Sequence, residues 1–274
     1  MSVLPPQIPS GQGEPPVVTT YDHLVFYPGG GAPSGTEPEP PSRRVRRTVV
    51  KLVAIVVATA MAVVGVQALR GVFDFDPLAV PVLSGAAPAT GELPDGYTLL
   101  GGDTSLYPSR LVCGTPTWEL VGDADNLPDG ALEAWVQAVD LVEQLSGVRI
   151  VPLAEAEAAG LDTGAAMTVQ FVPAEVVMER AEGVSGDTIG VASTERLPKG
   201  IVRADIYLDE KWFGGALRNR HDEAVLVMVH ELGHALGLGH ATDSHSVMYA
   251  ESSAASRLTE GDVEAFRAIA PVCG

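Results

Sequence analysis

The sequence predicts an α+β domain at residues 111–274, placed behind a single membrane-spanning helix. Three observations lead there. Segments 129–146 and 222–236 carry apolar residues at helical spacing, segments 167–172 and 201–208 alternate with the period of a strand, and residues 48–69 form a nearly unbroken apolar run. A chain of 274 residues has room for one large domain or two small ones, and its uneven composition decides between them.

Residues 1–47 are rich in Pro and Gly, as in Gly29-Gly30-Gly31 and Pro38-Glu39-Pro40-Pro41. Such a segment buries too little apolar surface to offset its ordering entropy, so it is expected as a disordered tail. Within it, residues 21–27 are more apolar. They read as a collapsed patch of that tail, with docking to a partner as the alternative. Arg43, Arg44, Arg46 and Arg47 then stand before the run 48–69, which is interrupted only by Lys51 and Gln67. About 20 apolar residues cross a bilayer as a helix, and Lys51 can extend its ammonium to the head groups. The lipid bilayer is therefore an expected partner. The preceding arginines place the N-terminal side in the cytoplasm and the rest of the chain outside. A cleaved signal peptide, with Val66-Gln67-Ala68 as its cleavage site, is the alternative, but the preceding region is far too long for one. Residues 70–110 are rich in Pro, Gly and small residues and read as an extracytoplasmic linker.

Inside the domain, 117–121 reads as the first strand. A long amphipathic helix follows at 129–146, its stripe made of Leu132, Trp135, Val136, Val139, Val142 and Leu145, with Gly147 beyond its end. Strands are expected at 149–152, at 167–172, where Met167, Val169 and Phe171 alternate with Thr168 and Gln170, and at 201–208. Thr259 can cap a last helix, with Leu258 and Val263 as a hydrophobic staple and Phe266 and Ile269 continuing the apolar face. The two cysteines, Cys113 and Cys273, lie near the ends of the domain. In an oxidising compartment they would pair, closing a long loop with a stabilisation of about 5 kcal/mol in the chain-entropy model. Asp123, Asp125, Asn126 and Asp129 lack the glycine and terminal glutamate of an EF-hand loop and read as a solvated turn. A formal charge of −18 leaves no broad basic face to neutralise phosphates, so no nucleic-acid partner is expected.

The chemistry concentrates at 230–240, where His230, Glu231, His234, Gly237 and His240 spell H-E-x-x-H-x-x-G-x-x-H. On a helix, His230 and His234 stand one turn apart on one face and can reach one metal ion. Asp222 and Glu223 suit the positive end of that helix, and Val225, Met228, Val229 and Leu232 form its buried stripe. Gly237 can take the left-handed conformation that ends it, letting the chain turn back and bring His240 to the ion as a third ligand. The expected cofactor is Zn²⁺. Three protein ligands leave one tetrahedral position for water, whose pKa falls from about 16 to roughly 7 on zinc, and Glu231 is placed to take its proton.

With Met248 downstream in Ser246-Val247-Met248-Tyr249, the chain resembles the metzincin zinc metalloproteases, closest to the matrixin-like branch. The resemblance implies a twisted mixed sheet with a long helix, an active-site helix and a C-terminal helix. It makes Met248 the tight turn beneath the zinc ligands and Tyr249 part of the wall of the substrate pocket. Astacins and serralysins place a tyrosine ligand one position later, where this chain has Ala250, so no tyrosine ligand is implied. It also sets the strand 201–208 at the sheet edge above the cleft, where an extended peptide could add through backbone hydrogen bonds. Cys113-Gly114-Thr115-Pro116 partly echoes the matrixin propeptide motif, which leaves a latency thiol as the alternative to the disulfide. The expected function is hydrolysis of peptide bonds in polypeptides by a membrane-anchored endopeptidase. The alternative is a catalytically silent, zinc-containing binding or sensor module outside the cell.

Overall fold

The computed structural model describes residues 18–26, 78–81, 92–101, 108–122, 127–181, 187–252 and 256–270. The expected membrane helix 48–69, most of the tail and linker, and Cys273 lie outside these. Among the described residues no helix is long and apolar enough to cross a membrane.

The domain is built on a seven-stranded mixed sheet. Its strands are β1 (Val18–Phe26), β3 (Thr115–Leu120), β4 (Val151–Pro152), β5 (Thr163–Val172), β6 (Asp187–Leu197), β7 (Gly200–Asp209) and β9 (Glu251–Ser252), in the order β4-β3-β5-β7-β6-β1-β9. β3 pairs in parallel with β4 and β5, and β5 with β7. β6 then runs antiparallel to β7, and β1 antiparallel to β6. A separate pair joins β2 (Tyr97–Leu99) to β8 (Leu238–Ala241). Among the described residues six helices complete the domain: α1 (Ala131–Ser146), α2 (Leu153–Ala159), α3 (Ala174–Arg180), α4 (Glu210–Asn219), α5 (His221–Leu236) and α6 (Glu260–Ala268).

Helix α1 forms where its period predicts it and ends at Gly147 in the left-handed conformation. Its buried face is rotated from the expected stripe. Leu132 and Val136 are 47% and 41% exposed, while Ala131, Ala134, Ala138 and Leu141 are buried beside Trp135, Val139, Val142 and Leu145. The reason is that α1 packs on α5 and α6, and its alanines allow the close approach that larger side chains would block. Trp135 meets Trp118 of β3 edge to face, with ring centroids 6.1 Å apart, a pairing that contributes about 0.5–1.5 kcal/mol beyond burial.

Three sequence boundaries change. Strand β7, expected at the edge, lies between β5 and β6, with Ala204, Ile206 and Leu208 fully buried; the strand beyond it is β6. Residues 18–26, expected within a disordered tail, form β1, whose nine residues pair along β6 from Val18↔Arg196 to Phe26↔Asp187. Part of the expected linker also belongs to the domain: β2 lies within it, and Leu100 is fully buried and donates its N–H to Gly237 O at 2.9 Å.

Candidate zinc centre

Helix α5 carries the site. Asp222 and Glu223 occupy its first turn, and every residue from Ala224 to Leu236 is buried. A helix apolar on all sides belongs inside the core, and α5 packs against β6, β7, α1 and α4. Its core position withdraws His230, Glu231 and His234 from solvent. The helix stops at Gly237, at φ 111°, whose N–H donates to Gly233 O and His234 O. A side chain here would be strained, and its Cβ would meet the backbone carbonyl of Ser109. The chain then runs back as β8, held by β2 through Thr98 Oγ1 donating to His240 O at 3.0 Å.

That return brings the three histidines together. One ring nitrogen from each of His230, His234 and His240 lies within 4.8 Å of the others. His230 Nδ1 sits 2.7 Å from Val247 O and His234 Nδ1 2.7 Å from Leu238 O. A carbonyl oxygen only accepts, so both Nδ1 atoms donate, which in neutral rings leaves each Nε2 a lone pair, and the two Nε2 atoms lie 2.9 Å apart. Two lone pairs aimed at each other at that distance repel unless a cation lies between them. The three imidazoles, two of them oriented by carbonyls, therefore fit zinc. Among the described residues this is the one such cluster.

Met248 is fully buried under α5, against Gly233: a Cβ there would lie 2.8 Å from Met248 Cε. The turn is fastened by Ala241 N–H to Met248 O at 2.8 Å and Met248 N–H to Ser246 Oγ at 2.9 Å. Below it stands Asp262, which the sequence does not single out. This fully buried carboxylate of α6 accepts from Ser246 Oγ at 2.6 Å, Val247 N–H at 3.2 Å and Tyr97 OH at 2.9 Å. It also closes a capping box with Thr259. Asp262 thus anchors the N–H of Val247, the residue whose carbonyl orients His230. Its signal in the sequence is an acidic residue three positions after the cap. Tyr97 in turn is held neutral, its pKa driven up by burial and then by the Asp262 carboxylate.

Glu231 follows His230 on α5 and is fully buried. Gly190 of β6 lies against its carboxylate, since a Cβ at Gly190 would be 2.5 Å from Glu231 Oε1 and 3.0 Å from Cδ. Only glycine leaves that space. Tyr249 is partly buried directly after the methionine turn, and β9 begins two residues on. His221 and His245 lie apart from the cluster, paired with Gln137 at 2.9 Å and Asp243 at 3.2 Å. Cys113 precedes β3, and its expected partner Cys273 is outside the described residues.

Three histidines converging from a buried helix and the strand that follows it form a candidate zinc centre. Residues 152–269 match the family model of the matrixins, a stretch that holds all three histidines, Glu231, Met248 and Tyr249. The match supports a metzincin-like zinc metalloprotease, for which the cofactor is catalytic zinc and the substrates are polypeptides. β1, β2, β3 and α1 lie outside the matched stretch. No curated protein matches the chain.

Proposed function

We propose that the protein is a membrane-anchored zinc endopeptidase in which Glu231 is the general base. The observation that carries this is the burial of Glu231 beside three converging histidines, since holding zinc does not itself require that carboxylate. Zinc, when bound, supplies Lewis-acid polarisation of the substrate carbonyl and lowers the pKa of water. His230, His234 and His240 hold the ion. Glu231 takes the proton of the attacking water and delivers it to the leaving amine nitrogen, and Tyr249 borders the pocket after the cleaved bond. The run 48–69 is the anchor, with the N-terminus cytoplasmic and residues 111–274 outside; the four arginines before the run support this orientation. Cys113 pairs with Cys273 in that compartment, because an oxidising environment favours the disulfide over two free thiols.

The test compares segment 78–274 with its Glu231→Ala variant for zinc content and cleavage of a mixed peptide library. The expected result is one zinc in each and cutting by the first alone. Zinc in both with cutting by neither would replace this reading with a silent zinc-containing binding module.

A further inference from the structure

His230 and His234 stand on the buried helix α5, but His240 reaches the cluster from β8, a four-residue strand beyond the end of that helix, where it is only partly buried. Strand β2 lies antiparallel along β8, with Tyr97↔Ala241 and Leu99↔Leu238 in register. Three hydrogen bonds fasten the two segments. Leu100 N–H donates to Gly237 O at 2.9 Å, Thr98 Oγ1 to His240 O at 3.0 Å and Thr242 N–H to Gly96 O at 2.9 Å. They bracket His240 on both sides and meet it at its own carbonyl. The two backbones approach closely: a Cβ at Gly239 would lie 2.5 Å from Thr98 Oγ1 and 2.9 Å from Leu99 O. Glycine at 239 is therefore required by β2 and not by the metal. A strand pair this short does not hold itself in water, so its place comes from anchors in the core. Tyr97 OH donates to Asp262 at 2.9 Å, and Leu100, fully buried, accepts at its carbonyl from Ser109 Oγ at 2.8 Å.

We propose that residues 96–100, which the sequence presents as the end of a linker, are a positioning strap for the third zinc ligand, with Thr98 as its contact to His240. The strap lies outside the stretch 152–269 that matches the matrixin model. Its role follows from how the ligands are held. The core fixes two of them on one helix, whereas the third sits on a short strand whose freedom only a neighbouring strand can remove. Without the strap, β8 would lose conformational entropy each time His240 closes on the ion, and zinc would leave more readily. The proposal rests on the zinc-centre reading and not on turnover. It sets the functional start of the domain before Gly96, not at residue 111.

The test uses the full chain and its Thr98→Val, Thr98→Ser, Gly239→Ala and Thr98→Val/Gly239→Ala variants. Three quantities are measured: zinc release to a chelator, the visible absorption of the Co²⁺-loaded form, which reports the ligand geometry, and the unfolding midpoint of the zinc-free chain. Thr98→Val is expected to release zinc about tenfold faster, with an altered Co²⁺ spectrum and the zinc-free midpoint of wild type. Thr98→Ser keeps the hydroxyl and should match wild type in all three. Gly239→Ala displaces β2 at Leu99 O and is expected to release zinc at least as fast as Thr98→Val. Adding Thr98→Val to it should cost nothing more, because the two changes act through one contact. Zinc release by Thr98→Val at the wild-type rate, or by Thr98→Ser at the Thr98→Val rate, overturns the strap. So does a fall in the zinc-free midpoint with an unchanged Co²⁺ spectrum, which would make β2 merely structural, or full additivity in the double variant. A wild-type chain that takes up no zinc defeats the zinc-centre reading and the strap with it. Chains that show the expected zinc release but cut no peptide leave the strap standing and defeat the endopeptidase reading alone.

Discussion

Helix α5 and strand β1 both border the reaction centre, and they are held by opposite means. α5 is fastened by its side chains, buried from Ala224 to Leu236 on every face, so it cannot leave without dismantling the core. β1 is fastened by backbone pairing to β6 and β9, bonds that any extended peptide can supply equally well. The difference separates two properties of the site. Metal binding and the position of Glu231 depend on the core, whereas β1 is held by ladder hydrogen bonds to its two neighbouring strands.

That contrast can be broken most directly at Glu231. Glu231→Gln is expected to lower kcat/KM by about 10²–10⁴-fold with zinc content unchanged, and a variant that cuts at the wild-type rate ends the general-base assignment. Trp135→Ala removes the largest fully buried side chain behind α5 and is expected to destabilise the domain by about 3–5 kcal/mol, read by denaturant titration of holoprotein. A cost below 1 kcal/mol would show that the core does not hold α5 as described. Asp262→Ala leaves the Ser246 hydroxyl and Val247 N–H without their acceptor, so zinc affinity is expected to fall about 10–100-fold, measured by competition with a chelator. Unchanged affinity would make Asp262 only a helix cap.

The smallest effect is expected at Tyr97. Tyr97→Phe loses the hydrogen bond to Asp262, costing about 1 kcal/mol. It also changes the pH dependence. The folded pKa of Tyr97 is raised above its ordinary 10.0, so its contribution is complete below that pH and is lost as pH rises above it, where the unfolded chain releases the proton first. Wild type should therefore lose stability above about pH 10 more steeply than Tyr97→Phe. Parallel curves would remove Tyr97 from the buried network.

What was legible in the chain was whatever lies within a helical turn or two of itself. His230, Glu231 and His234 are ordered by the i, i+4 spacing, Gly237 by the conformation that ends α5, and Thr259 by its place before α6. These features are local, so their chemistry is written in consecutive residues. The existence of α1 was equally plain, but its buried face was not, because a helix with apolar residues on several sides is rotated by what it packs against, leaving Leu132 and Val136 outside and the alanines in. Strand order, the burial of Leu100 and the role of Asp262 were illegible for a related reason. Tyr97 reaches Asp262 across 165 positions, and β1 reaches β9 across more than two hundred. No periodicity marks such pairs. They form only when the whole core has closed, because a strand's hydrogen-bonding edge accepts many partners and the surrounding packing selects one.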